Sequence, residues 1–283
     1  MTAVTPKTVA TAPTIHYRLS KFVAAIFMLL MACAAAAEEI KIGGSGAALG
    51  TIRLLADAFA RQSSDFRATV VPSLGSGGSI KAAVAGAIDL AATARPMNAD
   101  ERALGATEIE YGRTPFVFAV SARSKVTAIT TRQLADIYAG KMVNWPDGSP
   151  IRIVLRPASD VDTAMVKSIS PEVGQALSVA RERRGVAVSM SDQDAADDIE
   201  RIAGAIGPSS LALLISEKRA LSALKLDRVE PTSANIASGA YPYYKRLFLV
   251  TGAKPPAAAQ RFIAFIQSPA GRKVLAQTGH WIP

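Results

Sequence analysis

The stretch Glu39-Ile-Lys-Ile-Gly-Gly-Ser-Gly-Ala-Ala-Leu-Gly50 joins a short alternating segment to a turn made of small residues. Residues 51–61 continue it with Ile52, Leu55 and Phe59 at the spacing of one helical face, so the stretch predicts a strand, a turn and a helix. The same order returns in residues 68–71, 75–79 and 80–85, and residues 87–91 resemble a further strand. This β-α-β-α-β alternation predicts the α/β class, with a parallel sheet covered by helices.

The two glycine-rich turns are candidates for binding an anion. Backbone N–H groups can approach a guest closely where side chains are small, and a helix start adds partial positive charge. Two such turns at one sheet edge would form an oxyanion site. The candidate residues are Ser45, Gly46, Ala47 and Ala48 in the first turn and Ser76, Gly77, Gly78 and Ser79 in the second. The alternative is structural, because a tight turn needs glycine and a serine can simply cap a helix.

The first turn also fits a relaxed dinucleotide-binding fingerprint, Gly44-x-Gly46-x-x-x-Gly50. That fingerprint requires an acidic residue at the end of the second strand. Here the second strand ends in Val-Val71-Pro-Ser, and Asp65 precedes it. We therefore expect no nucleotide cofactor.

The second half of the chain continues the α/β pattern. An apolar strand at 115–120 leads out of the first half, and Thr130-Thr-Arg-Gln133 is a capping box that begins the next helix. Residues 151–155 indicate a buried strand, and residues 161–169, 171–183 and 191–202 have helical patterns. Residues 204–207 suggest a turn at a strand end. A strand at 244–250 precedes two helices, the second begun by Ser268-Pro269.

Composition favours a globular protein with an anionic partner. The 283 residues are 49% hydrophobic and 19% charged, and the formal net charge is +9. Removing residues 1–37 leaves +6, because that segment holds Lys7, Arg18 and Lys21 and no acidic residue. A basic surface attracts anions through its long-range field. The basic residues form no run with interleaved aromatics, so we expect no nucleic-acid binding.

The first 37 residues resemble a secretory signal. Arg18 and Lys21 precede an apolar run at 22–33, and small residues lead to a cleavage site after Ala37. The alternative, a membrane anchor, needs about 20 apolar residues. Cys33, the single cysteine, follows Leu-Met-Ala in a pattern similar to a lipoprotein signal. We predict a periplasmic protein, with lipid attachment at Cys33 as an alternative, and a mature chain without cysteine.

The titratable residues argue against catalysis. His16 lies in the signal, which leaves His280 as the single histidine of the mature chain. Nucleophilic chemistry by a Ser-His-Asp or Cys-His arrangement would depend on that residue alone. The sequence contains no H-E-x-x-H motif and no Cys/His cluster. We predict no enzyme, no catalytic residue and no metal.

Several motifs, in order, resemble those of the phosphate-binding proteins of bacterial ABC importers, within the periplasmic binding protein class. They are the two turns, Ala87-Ile-Asp-Leu-Ala-Ala-Thr-Ala-Arg-Pro-Met97, Leu134-Ala-Asp-Ile-Tyr-Ala-Gly-Lys-Met-Val-Asn-Trp145, Gly204-Ala-Ile-Gly207 and Asn235-Ile-Ala-Ser-Gly-Ala-Tyr-Pro242. The resemblance covers nearly all of residues 39–283.

This resemblance implies a two-lobed fold of type II, with the ligand in a cleft between the lobes. Lobe 1 would hold residues 38–120 and 230–283, and lobe 2 would hold residues 121–229. The implied function is a solute-binding protein for a small inorganic oxyanion, phosphate first, which serves an ABC permease in the inner membrane. We expect a monomer. The alternatives are an anion-binding sensory protein without transport and a secreted phosphatase-like hydrolase.

The ligand positions depart from the family pattern. Ala48, Gly77 and Ala94 stand where the family has Ser or Thr, Ser, and Asp, and Pro157 stands in place of a ligand arginine. Asp160 and Asp162 have entered the same loop, and we predict that Asp160 caps the following helix. Thr93 and Arg95 follow a strand end, where open α/β sheets bind ligands. The remaining candidates are Arg156, at the end of a buried strand, and Thr163.

Overall fold

The computed structural model describes residues 1–5 and 38–283. The apolar run of the predicted signal, Cys33 and the cleavage site after Ala37 lie outside the described residues. Residues 38–283 form one unit. None of the helices in the described ranges is both long and apolar enough to span a membrane.

The strands are β1 (Glu38–Gly44), β2 (Phe66–Val70), β3 (Leu90–Thr93), β4 (Thr107–Ser121), β5 (Ala128–Ile129), β6 (Arg152–Leu155), β7 (Ala187–Val188), β8 (Ala205–Ser210), β9 (Leu221–Ala223), β10 (Lys225–Leu226) and β11 (Tyr244–Thr251). The helices are α1 (Gly46–Ala60), α2 (Gly75–Val84), α3 (Ala99–Ala103), α4 (Thr131–Tyr138), α5 (Val161–Ile169), α6 (Pro171–Glu182), α7 (Asp192–Arg201), α8 (Leu211–Ser216), α9 (Ser233–Ala237), α10 (Ala257–Gln267) and α11 (Pro269–Gln277). The predicted α/β class is confirmed.

The main sheet has two parallel halves joined by antiparallel strands. Its order is β2-β1-β3-β11-β4-β8-β6-β7, with β9 also paired to β4. The pairs of β1 with β2 and β3 are parallel, as are those of β6 with β7 and β8. Strand β11 is antiparallel to both β3 and β4, and β4 is antiparallel to β8. Each half is therefore the parallel α/β unit that the sequence predicts.

Strand β4 belongs to both halves. Its residues up to Pro115 pair with β11, and its residues from Phe116 onwards pair with β8. The chain thus passes from one half of the sheet to the other within a single strand.

Separate apolar cores lie on the two halves. One core gathers Phe59, Phe66, Phe262 and Phe265 around β1 and α1, and Phe59 and Phe66 meet edge to face with ring centroids 4.6 Å apart. A second core is built around Phe116, Phe118, Tyr138 and Trp145. Two cores of this kind are what a two-lobed fold requires, because each lobe must bury its own apolar faces.

Residues 230–243 are assigned to lobe 1 from the sequence, but part of this segment packs in the second core. Ile236 and Tyr241 lie in the second core, and the Tyr241 hydroxyl donates to the Phe116 carbonyl at 2.8 Å. The lobe boundaries themselves stay a prediction.

Three element predictions need correction. The predicted turn at 44–48 ends earlier, because helix α1 already begins at Gly46. The predicted strand at 87–91 lies later, at Leu90–Thr93. Residues 204–207 are largely strand β8 rather than a turn. In each case packing against a neighbouring element overrides the local preference of glycine and alanine.

Candidate functional site

The two glycine-rich turns meet at one edge of the sheet. The carbonyl oxygen of Gly44 accepts hydrogen bonds from the Leu74 N–H at 3.1 Å and the Ser73 hydroxyl at 3.3 Å. Ser45 donates its N–H to the Ala92 carbonyl at 2.9 Å. The end of β3 reaches the second turn, because the Ala94 N–H donates to the Ser76 hydroxyl oxygen at 3.0 Å. The predicted juxtaposition of the turns therefore exists.

Both turns are the beginnings of helices that lack a side-chain cap. Ser45 precedes α1 and Leu74 precedes α2, and neither side chain accepts a bond from the helix. In the described part of the chain, eight of the other nine helices have a capping side chain, from Asn98, Thr130, Asp160, Ser170, Ser191, Ser210, Thr232 and Ser268. Ser45 therefore does not act as a side-chain cap. The Ala48 N–H donates to the Ser45 carbonyl at 2.9 Å and the Gly75 N–H to the Ser73 hydroxyl at 3.4 Å. Within residues 38–283, the N–H groups of Gly46 and Ala47 in α1 and of Ser76 and Gly77 in α2 have no acceptor and are available to a guest.

The predicted hydroxyls in this region bond mainly to backbone atoms. Ser79 donates to the carbonyls of Gly75 at 2.8 Å and Ser76 at 3.0 Å. Thr93 donates to the carbonyl of Arg95 at 2.8 Å. Ala47 and Ala48 are buried in the first turn of α1. These residues shape the site through the backbone rather than through free side-chain donors.

Arg95 is engaged by a neighbouring carboxylate. Its guanidinium donates two hydrogen bonds to Glu101, each 2.7 Å long. This bidentate contact lowers the pKa of Glu101 below its usual value. The guanidinium also lies beside the second turn, since a Cβ atom on Gly77 would be 3.5 Å from Arg95 Nη2. Contact with a ligand would have to compete with Glu101.

Arg156 is buried, with 3% of its surface exposed. It donates from Nη1 to the Ser189 carbonyl at 2.5 Å and from Nη2 to Asp160 at 3.0 Å. The same Nη2 lies 3.7 Å from Asp192 Oδ2. The Nε atom is buried without a hydrogen-bond partner.

The loop after Arg156 forms the start of α5. Asp160 accepts from the Asp162 N–H at 2.9 Å, which confirms the predicted capping role. Thr163 donates to the Pro157 carbonyl at 2.8 Å and accepts from Arg181 Nη2 at 3.0 Å. These two hydrogen bonds of Thr163 therefore stabilise the conformation of the loop that follows Arg156.

Three buried charged residues of this region are missing from the predicted ligand set: Lys245, Asp162 and Asp192. Lys245 is 2% exposed, and its ammonium group forms ion pairs with Asp162 and, at 3.3 Å, with Asp192 Oδ1. Lys245 precedes Arg246 in strand β11, and no feature of the sequence separates the buried lysine from its exposed neighbour. No motif indicates that Asp192, the first residue of α7, approaches residues 45 and 245.

Burial and neighbouring charges shift the pKa values of Asp162, Asp192 and Lys245 in different directions. Burial raises the pKa of Asp162 to about 7, and the Asp192 and Asp160 carboxylates add to the rise against the opposing effect of Lys245. Burial also opposes ionisation of Asp192, but Lys245 and Arg156 outweigh it and hold its pKa below the usual value. Burial disfavours the charged form of Lys245, yet Asp162 and Asp192 raise its pKa. At neutral pH Lys245 and Asp192 are thus charged.

Asp192 links this charged cluster to the first turn. The Ser45 hydroxyl donates to Asp192 Oδ2 at 3.5 Å, and Gln193 Nε2 donates to the Gly46 carbonyl at 3.1 Å. A Cβ atom on Gly46 would lie 2.8 Å from Asp192 Oδ2. The contact joins α1, which packs in the first core, to α7, whose Ala195 and Ile199 pack in a third core beside β8.

Comparison with known proteins agrees with this architecture. The family model described as "PBP superfamily domain" matches residues 32–270. The phosphate-binding protein PstS of Bacillus subtilis (strain 168) is 27% identical over 173 residues, which are 58% of this chain and 53% of that protein. The chain therefore spans about half the length of that relative. The protein of the same name from Borreliella burgdorferi is 24% identical over 197 residues, 67% of this chain and 71% of that protein.

A solved structure shares the fold. One example is the crystal structure, with bound phosphate, of a Clostridium perfringens protein that is assigned as a phosphate ABC transporter substrate-binding protein. It superimposes on this chain with a TM-score of 0.73 at 23% identity. The match covers 87% of this chain and all of that one. The fold is therefore that of the two-lobed binding proteins, as the sequence predicts. With a family model covering most of its length and this shared architecture, the chain belongs to the PBP superfamily.

Proposed function

We propose that this chain is a secreted solute-binding protein of an ABC importer, which binds a small oxyanion between its two lobes. Phosphate is the first candidate. The observation that carries the proposal is the meeting of two uncapped helix starts, those of α1 and α2, at one sheet edge. Such helix starts favour a negatively charged guest through their N–H groups and their partial positive charge.

The proposed site uses backbone amides first and buried cations second. The free amides are those of Gly46, Ala47, Ser76 and Gly77, and Ser45 adds a hydroxyl that already faces a carboxylate. Ala48, Gly78 and Ser79 remain proposed parts of the site through the shape of the two turns. Lys245 and Arg156 supply positive charge. The partly exposed Arg95 and the buried Thr163 remain proposed ligand residues, and each would have to release a present partner.

The relatives support phosphate as the guest. Both curated relatives are named phosphate-binding proteins, and the neighbour from Clostridium perfringens is described with bound phosphate. In this chain Ala48, Gly77 and Ala94 replace hydroxyl and carboxyl groups of the family pattern. We therefore propose an anion whose oxygens are held largely by N–H donors, and a panel of anions is the appropriate test.

We further propose lobes of residues 38–120 with 230–283 and of 121–229, a hinge motion that closes them, and an inner-membrane permease that binds the closed form. The protein would act as a monomer in the periplasm, after removal of residues 1–37. Hinge closure is the usual response of this class of fold to a ligand. An anion-binding sensory role would use the same site, and a permease and an ATPase encoded beside the gene would favour transport.

A hydrolase is the weaker alternative. His280 is buried, and its Nδ1 lies 3.1 Å from both the Leu275 carbonyl and the Thr278 hydroxyl. Burial lowers the pKa of His280 to about 4. Because His280 is buried and its Nδ1 contacts its own C-terminal segment, this placement does not favour activation of a serine in the two glycine-rich turns. Turnover of a chromogenic phosphate ester that is lost in His280→Ala would reverse this assignment.

A thermal-shift and calorimetry panel tests the proposal. The secreted protein, as a bacterial host processes it, is titrated with phosphate, sulfate, molybdate and methylphosphonate. One anion should stabilise it, by about 2.7 kcal/mol at a concentration of 100 times its Kd. If none of the four changes the melting temperature or releases heat, the proposed function is wrong.

A further inference from the structure

The buried charged cluster around Lys245 holds more carboxylates than cations, which is unexpected for a site that is to hold an anion. Asp160, Asp162 and Asp192 surround the two cations Lys245 and Arg156. All but Asp160 are at least nine-tenths buried. The cations are therefore already neutralised by the protein, before any ligand arrives.

The Asp192 carboxylate makes the contacts that an oxyanion would make. Its Oδ2 accepts from the Ser45 hydroxyl and lies 3.7 Å from Arg156 Nη2, and its Oδ1 lies 3.3 Å from Lys245 Nζ. It also lies against the first turn of α1, where the Gly46 Cα hydrogens face it. A negative charge at that point is stabilised by the helix start. One side chain thus contacts the hydroxyl and both cations that are assigned to the anion site, and it lies against the helix start whose amides complete that site.

We propose that Asp192 is an internal competitor for the oxyanion: its carboxylate occupies the start of α1, and a bound anion must displace it. The inference rests on the proposed function, since it concerns the same site. It makes Asp192 a specificity-determining residue, because only an anion that interacts with Ser45, Lys245 and Arg156 more strongly than a carboxylate does will displace it.

The unpartnered atoms around Asp192 favour this role over a purely structural one. Asp162 Oδ2 and Arg156 Nε are buried, and neither has a hydrogen-bond partner among the residues that the structure describes. A buried ionic cluster that serves only stability is usually no better than well-packed apolar residues, and leaving polar atoms unpaired makes it worse. In a ligand site, in contrast, buried donors and acceptors without partners are expected, because the bound anion and its water form the missing hydrogen bonds.

The test compares phosphate affinity in Asp192→Asn and in a matched control. Asparagine keeps the shape and removes the charge, so the affinity of the secreted protein for inorganic phosphate should rise by on the order of tenfold or more. The control is Asp57→Asn, which makes the same charge change at an exposed position of α1. Isothermal titration at matched ionic strength should give the wild-type Kd for the control. Melting curves establish that each variant is folded, and Asp192→Ser replaces Asp192→Asn if the latter unfolds.

The outcomes separate this inference from the proposed function. Wild-type binding with equal or weaker binding by the folded Asp192 variant would overturn the inference and leave the function intact. Tighter binding by that variant, or binding by that variant alone, would support the inference. Absence of binding of all four anions in the wild type and in every variant would overturn both. A crystal structure of the phosphate complex in which Asp192 still contacts Ser45 would also contradict displacement.

Discussion

Arg95 and Glu101 face each other through two parallel hydrogen bonds of 2.7 Å, one from each terminal nitrogen of the guanidinium. The pair ties the end of β3 to the capping box of α3, in which Glu101 also accepts from the Asn98 N–H at 2.8 Å. A bidentate contact of this kind fixes geometry as well as charge. It places Arg95 in a structural contact at the position where the sequence suggests a ligand residue.

The first prediction separates these two roles of Arg95. We expect Arg95→Met to lower the free energy of unfolding by about 1 kcal/mol, since the guanidinium is partly exposed. Phosphate affinity should change by no more than about twofold, because Glu101 holds the guanidinium. Denaturant melts and calorimetry measure the two quantities, and Arg102→Met, which removes an exposed arginine nearby, serves as the control. A loss of affinity of tenfold or more would mean that Arg95 is a main ligand residue and that its contact with Glu101 gives way to the ligand.

The second prediction concerns Lys245. Lys245→Met leaves Asp162 and Asp192 without their shared cation, and the loss of stability should be about 3–5 kcal/mol. The exposed Lys225→Met should have little effect. Urea denaturation at pH 8 measures the difference.

A double variant checks the origin of that loss. Adding Asp162→Asn to Lys245→Met removes one of the uncompensated charges and should restore part of the stability. Strict additivity of the two single changes would mean that the residues do not interact and would contradict the ion-pair network.

The third prediction concerns closure of the cleft. In Gly46→Ala the new Cβ would overlap Gln193 Oε1 and lie 2.7 Å from Asp192 Cβ, so α7 must move away from α1. We expect a larger radius of gyration by small-angle X-ray scattering. In Gly78→Ala the Cβ would have only an ordinary contact, 3.4 Å from Leu74 Cβ, and that variant should keep the wild-type value. Identical scattering from both variants would mean that the contact with Gly46 does not limit closure.

The fourth prediction is a pH dependence from His280. Burial lowers its pKa to about 4, whereas the unfolded chain takes up the proton near pH 6.5. The unfolded state is therefore favoured as the pH falls from 6.5 towards 4, and the loss should approach about 3 kcal/mol. Urea melts of wild type and His280→Gln at pH 7 and pH 4.5 isolate this contribution. A His280 ring that titrates near 6.5 by NMR would contradict it.

Locally encoded features of the fold could be predicted from the sequence. Helix α5 has the predicted bounds, and the capping box at Thr130 and the Ser268-Pro269 helix start are confirmed. These signals depend on residues within one helical turn of each other, so no tertiary information is needed. Gly46 and Gly50 show the limit. Their place inside α1 depends on close approach to Asp192 and Ser216, which only the folded chain provides.

The candidate site likewise has one part that could be predicted from the sequence and one part that could not. The two turns and their meeting at one edge follow from the parallel βα units, so the sequence was sufficient for them. The cluster of Lys245 with Asp162 and Asp192 joins residues more than 50 positions apart, with no shared motif. Nothing in a single sequence indicates that such residues will meet, and the predicted set accordingly lacked all three.

The 15-residue strand β4 has a mechanical consequence. A flexible loop between two parts of a protein allows almost any relative rotation. A continuous strand resists bending within the plane of the sheet and deforms mainly by twisting. In β4 the partner strand changes between Pro115 and Phe116, and the Phe116 N–H donates to the Tyr243 carbonyl at 3.0 Å. Any opening of the cleft should therefore be a torsion of the sheet about that point, small in amplitude and fixed in direction.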